Sequence, residues 1–163
     1  DGTAVYLLIK PVQRWVVALA KIVVAVAATA ILVVPITVLT GLLVGGFDDR
    51  DLSTTFAFAL ACFVGGTAYA AAFVALSAMT ARALVIGLVY VLLWEGALGG
   101  LLEGTKFLSI RQATLGIADG LGGQVSGHPI DGGIAAAVLT IAILLSLLMT
   151  SWRLSRFEIK GGD

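Results

Sequence analysis

The sequence predicts an all-α polytopic membrane protein, and three observations predict it. Apolar residues make up 60% of the 163 residues and charged ones 12%, about half the share of roughly 25% usual in soluble domains. Mean hydropathy is +1.07, so lipid, not polar side chains, has to cover most of the surface. Four apolar runs also reach the length of about 20 helical residues that a hydrocarbon core of about 30 Å requires. Each is assigned to helix because a backbone in hydrocarbon must satisfy its own hydrogen bonds. None shows the strict alternation of a β-barrel strand.

The first run covers about residues 16–44 and is interrupted only by Lys21. Lys10, Arg14 and Lys21 give it the flank of a signal peptide, but it is too long for such an apolar region. Pro35 lies in its middle, removes the hydrogen bond to the Ile31 carbonyl and predicts a kink, which makes it a candidate functional position within the membrane. The second run covers about residues 55–79, the third about 83–102 and the fourth about 133–152.

The connections differ in kind. Residues 45–54 form a short outer loop in which Ser53 or Thr54 is placed to cap the second helix. A tight inner turn at residues 80–82 makes the second and third helices antiparallel neighbours. The outer segment 103–132 is long enough to be functional or to carry structure of its own. Within it Phe107, Ile110, Thr114, Ile117, Ala118 and Leu121 recur at helical spacing. The pattern predicts one or two short helices lying in, or dipping into, the outer interface, with glycines at 116, 120, 122, 123 and 127 allowing bends. Residues 153–163 form a basic tail.

Orientation follows from the basic residues between runs. Seven (Lys10, Arg14, Lys21, Arg82, Arg153, Arg156 and Lys160) fall on one side, against three (Arg50, Lys106 and Arg111) on the other. The positive-inside rule therefore places both ends in the cytoplasm and the chain in the cell membrane. Small residues at four-residue spacing, such as Gly41 with Gly45, Gly96 with Gly100 and Gly100 with Gly104, suit close helix packing in lipid. The second run carries Ala57, Ala61 and Gly65 on one face and Gly66 and Ala70 on another.

Several function classes are excluded. A net charge of zero without interleaved basic and aromatic residues argues against a nucleic-acid partner. The single cysteine, Cys62, cannot form an internal disulfide, and with His128 as the sole histidine no metal-ligand cluster or other cofactor site is expected. There is no G-x-x-x-x-G-K-[ST] segment, so the chain is not expected to hydrolyse ATP or to be an enzyme. Ser126, His128 and Asp131 lie too close along one glycine-rich loop for a triad assembled across a fold, and are expected to be solvated loop residues.

Glu95 is the one ionisable residue well inside an apolar run. An acid at mid-membrane costs about 2.5–3.5 kcal/mol on insertion scales, whereas each large aliphatic residue returns about 0.3–0.6. The eleven Leu, Ile and Val residues of the third run therefore offset it by about 3–7 kcal/mol. Two readings stay open: Glu95 faces a polar pathway or pairs with a base such as Arg111, or it is a protonated or hydrogen-bonded glutamic acid that holds helices together.

The N-terminal stretch carries a family resemblance. Gly2-Thr3, Tyr6-Leu7-Leu8, Lys10-Pro11-Val12, Arg14-Trp15 and Lys21 resemble the cytoplasmic coupling segment of ABC-2-type ABC exporter permeases. The likeness continues in Leu93-Trp94-Glu95-Gly96, in Leu108-Ser109-Ile110-Arg111-Gln112 and in the tail from Trp152 to Glu158. It covers essentially the whole chain and is strongest to actinobacterial members. The family has six spans, so the resemblance implies that the chain starts after the second and lacks the first two transmembrane helices. Segment 103–132 would then correspond to the extracellular helical hairpin. It further implies a separate ABC ATPase subunit docking on Gly2, Thr3, Tyr6, Leu7, Lys10 and Arg14, and a second permease copy or paralogue.

The residues themselves allow that docking without requiring it. A short helix starting near Thr3 would place Tyr6, Leu7 and Ile9 on partly apolar faces and stop before Pro11. Such a helix suits a groove on a soluble partner, or the membrane surface with Lys10 and Arg14 reaching lipid headgroups. Two other functions stand beside the exporter: an ion-coupled carrier or channel using Glu95, and a non-transport assembly subunit of a membrane complex.

Overall fold

The computed structural model describes residues 14–98 and 108–156, and every element among them is helical. Helix α1, Arg14–Val44, is a 31-residue run of Val, Ala, Leu and Ile, about 46 Å long. It continues unbroken through Pro35. Its half-buried hydroxyls bond within the helix, Thr29 Oγ1 donating to the Ala25 carbonyl and Thr37 Oγ1 to the Val33 carbonyl, each at 2.8 Å, which satisfies them without water. A turn with Gly46 at φ 103° leads into α2, Asp49–Met79.

The start of α2 corrects the expected loop of residues 45–54. The helix begins six residues before Thr55, with Asp48 at the N-cap position, so Ser53 and Thr54 lie inside it and cap nothing. Asp49 and Asp51 occupy the first turn, where negative charge is favourable at the positive end of the helix dipole. At the other end the Thr80 N–H donates to the Leu76 carbonyl, and the Arg82 N–H to Thr80 Oγ1 at 3.2 Å. This closes the tight turn expected at residues 80–82 and starts α3, Ala83–Val89.

From Tyr90 to Leu98 the same run continues as a π-helix, a departure from the single α-helix expected over 83–102. Helix α4, Ile110–Gly120, and helix α5, Gly132–Arg156, complete the fold. Three helical stretches are long and apolar enough to cross a membrane, Val16–Val44, Asp49–Met79 and Gly132–Arg153, whereas the apolar stretch Ala83–Glu95 is shorter. Three of the four expected spans thus correspond to helices of sufficient length and apolarity; residues 99–102 of the remaining one lie outside the described residues.

Helix α2 sits at the centre and packs against α1, α3, α4 and α5. Its inward positions are small: Ala57, Ala59, Ala61, Gly65, Ala68, Ala70, Ala71 and Ala75 are buried. Large apolar side chains point outward instead, among them Leu43, Leu84 and Ile31. Small residues inside and large ones outside invert the arrangement of a water-soluble bundle and suit helices that pack by close backbone approach in lipid.

Candidate functional site

The candidate site lies where the π segment meets the first turn of α4. Helix α4 does not rest on the outside of the bundle. Ile110 and Ala113 form a buried cluster with Ala68 of α2 and with Ala135 and Leu139 of α5. Ala68 stands eleven residues before the end of α2 at Met79, so the start of α4 lies about 16 Å along α2 from that end. The helical periodicity of Ile110, Thr114, Ile117 and Ala118 thus reports a helix packed against both α2 and α5.

Glycines permit this packing. Gly65 of α2 lies directly against the Thr114 side chain, and Gly116 of α4 against the Ile130 carbonyl and the Ala135 methyl. The far end of α4 is closed by Gly122 N–H to Asp119 O at 2.9 Å and Gly123 N–H to Ala118 O at 2.8 Å, with Gly122 at φ 87°. That left-handed residue favours glycine and satisfies the last carbonyls.

At its near end α4 presents N–H groups that no turn of its own can satisfy. Ser109, in extended conformation at the N-cap, accepts from the Gln112 N–H at 3.2 Å. Glu95, only 3% exposed, takes the next two: its Oε1 accepts from the Ile110 N–H at 2.8 Å and the Arg111 N–H at 3.4 Å. The carboxyl group thus sits at the positive end of the α4 dipole, a place that favours negative charge. Tyr90 Oη donates to the Leu108 carbonyl at 3.2 Å, one step ahead of the cap. An apolar cavity of ≈ 250 Å³ adjoins this cap, lined by Tyr69, Phe73, Gly87, Tyr90 and Ile110 among others.

Of the residues singled out in the sequence, the fold brings Glu95 and Arg111 together, but through the Arg111 backbone. The Arg111 side chain is exposed, and its charge acts on Glu95 from a distance. Pro35 lies elsewhere, on a groove of ≈ 550 Å³ between α1 and α2 with Ile31, Val38, Phe56, Leu60 and Phe63. Gly2, Thr3, Tyr6, Leu7 and Lys10 lie outside the described residues, and Arg14 is the first residue of α1. Ser126 and His128 are exposed, while Asp131 caps α5 by accepting from the Gly133 N–H at 2.9 Å and the Ile134 N–H at 3.4 Å.

Two participants escaped the sequence reading. Ser109 was detectable, because Ser109 followed by Gln112 three residues later has the spacing of a capping box. Tyr90 carried no such signal. Among the described residues no group of His, Cys, Asp and Glu could hold a metal ion. What the site offers is a buried joint between one carboxylate and one helix terminus. No protein-family model, curated protein or solved structure matches the chain.

Proposed function

We propose that this chain is a transmembrane permease subunit of an ATP-driven exporter of the ABC-2 class, contributing to the translocation path and coupled to a separate ATPase. In this reading the apolar run that starts at Ala83 continues to about residue 102 and crosses the membrane as the third of four spans. Both ends of the chain are cytoplasmic, as the seven-to-three distribution of basic residues supports. Helix α4 is then re-entrant: it starts beside the middle of α2 and returns to the outer side before α5. The observation that carries the reading is this placement of α4 between the third apolar run and the last one, where the resemblance calls for an outer helical hairpin. A second permease copy or paralogue and lipid cover the remaining outward faces.

The test is the partner. A stoichiometric ATPase should co-purify with the full protein, and Tyr6→Asp with Leu7→Asp should release it while leaving membrane insertion intact. An ATPase retained in full amount by the double variant would return residues 3–14 to the membrane surface. One observation favours a second reading: a buried carboxylate in an apolar run, such as Glu95, also suits an ion-coupled carrier. Transport that proceeds without any bound ATPase, and follows an ion gradient, would select that reading.

A further inference from the structure

Tyr90 and Glu95 stand five residues apart, yet both reach the few backbone atoms that start α4. Tyr90 Oη bonds the Leu108 carbonyl, and Glu95 Oε1 bonds the Ile110 and Arg111 N–H groups. In an α-helix five residues advance about 500°, which leaves two side chains about 140° apart. The segment Tyr90–Leu98 is π-helical, and its wider i→i+5 turn brings residues five apart much closer to one face, to within roughly 50° of each other. The wide turn is therefore what lets one helix grip the start of another with two side chains.

Two features adjoin the π segment. Trp94 Nε1 is buried with no hydrogen-bond acceptor among the described residues, although buried indole N–H groups ordinarily find one. The apolar cavity of ≈ 250 Å³ against Tyr69, Phe73, Gly87, Tyr90 and Ile110 also leaves room for the Tyr90 ring and the first turn of α4 to shift without displacing α2.

We propose that residues 90–98 are a two-state clamp. In the π register Tyr90 and Glu95 together hold the N-terminus of α4; in an α register the two side chains diverge, Glu95 leaves the cap and α4 is released. The segment continues α3 without interruption, and α3 begins at the turn of residues 80–82. A displacement of that turn thus reaches the clamp along a single seven-residue helix. The use of the clamp as a gate rests on the permease reading, whereas the register itself does not.

The experiment measures the register directly. Single cysteines are placed in turn at positions 88, 89, 91–94 and 96–98 of the full chain, in a Cys62→Ala background, then spin-labelled in lipid nanodiscs. Oxygen accessibility of each label is recorded. The parent protein should show maxima recurring every four to five residues, and Tyr90→Phe with Glu95→Leu should shift them to the α period of about 3.6. Parent maxima already at the α period, or a π period kept in the double variant, would overturn the clamp. If the double variant does not fold, Tyr90→Phe alone serves, since it removes one hydroxyl. It should raise oxygen accessibility at least about twofold at one or more of positions 96–98, and no change there would equally overturn the proposal. Transport is not measured, so the outcome is separate from that of the permease reading.

Discussion

Thr114 of α4 occupies the space that a side chain at Gly65 of α2 would need. Its Cβ, Cγ2 and Oγ1 all lie against that glycine. The hydroxyl cannot simply turn away, because it donates to the Ile110 carbonyl at 2.8 Å. This contact and the Glu95 cap sit about one helical turn apart on α4, so together they set how far α4 enters between α2 and α5. A small residue on one helix, a β-branched one on the other and a capped terminus are enough to place α4 where no charged side chain has to be buried unpaired.

Gly65→Ala should therefore destabilise the protein by about 1–3 kcal/mol, the usual cost of overpacking a filled interior. Thr114→Ala added to it should recover most of that loss, since it removes the two outer atoms that collide. Thermal unfolding of both variants in detergent checks the pair. An equal loss in single and double variants would show that position 65 matters for another reason.

Gly116→Ala should be harder to rescue. The added methyl would meet the Ile130 carbonyl, a backbone atom that has no rotamer to change, together with the Ala135 methyl. At Gly66 the nearest obstacle is Thr29 Cγ2, at 3.2 Å from an added Cβ, which is the end of a side chain. The expected order of unfolding temperature is wild type, then Gly66→Ala, then Gly116→Ala. A reversal of the two variants would contradict the packing of α4 against α5.

Three of the apolar runs were legible because length and composition alone decide them. A helix in the region of α4 was legible from the spacing of Ile110, Thr114 and Ile117, though not where it starts. The early start of α2 was not, because Asp48, Asp49, Arg50 and Asp51 carry the composition of a loop, and only the helix dipole makes them suit a first turn. The π register of Tyr90–Leu98 left no trace in composition, since an apolar run around Glu95 reads alike at any helical period. For the same reason the partner of Glu95 was sought among charged side chains. A helix terminus presents positive potential without any side chain, and sequence reading has no symbol for it.

Labelling with a membrane-impermeant thiol reagent tests the orientation. In a Cys62→Ala background, cysteines at Asp49 and Ser126 should be modified from outside intact cells and one at Ser155 should not. The two outer positions stand at the start of α2 and beyond the end of α4, so they also test whether the chain returns to the same side between them. Modification of Ser155 alone would invert the topology and remove the cytoplasmic docking segment.

The cap at α4 makes a sharper prediction about Glu95 and Arg111. The contact runs from the Arg111 backbone N–H to Glu95 Oε1, and no substitution at 111 other than proline removes that N–H. Arg111→Gln should therefore change stability by no more than about 0.5 kcal/mol, as for an exposed side chain. Glu95→Gln keeps an acceptor oxygen but loses the charge, and should cost about 1 kcal/mol. Glu95→Leu leaves the Ile110 and Arg111 N–H groups buried without an acceptor, and should cost more, up to about 3 kcal/mol. In a double-mutant cycle Glu95→Gln and Arg111→Gln should add to within about 0.3–0.5 kcal/mol, because the two side chains meet only through a distant charge. A coupling well above that would mean that the guanidinium, and not the helix terminus, holds the carboxylate. Equal losses for Glu95→Gln and Glu95→Leu would mean instead that the charge matters and the hydrogen bonds to α4 do not.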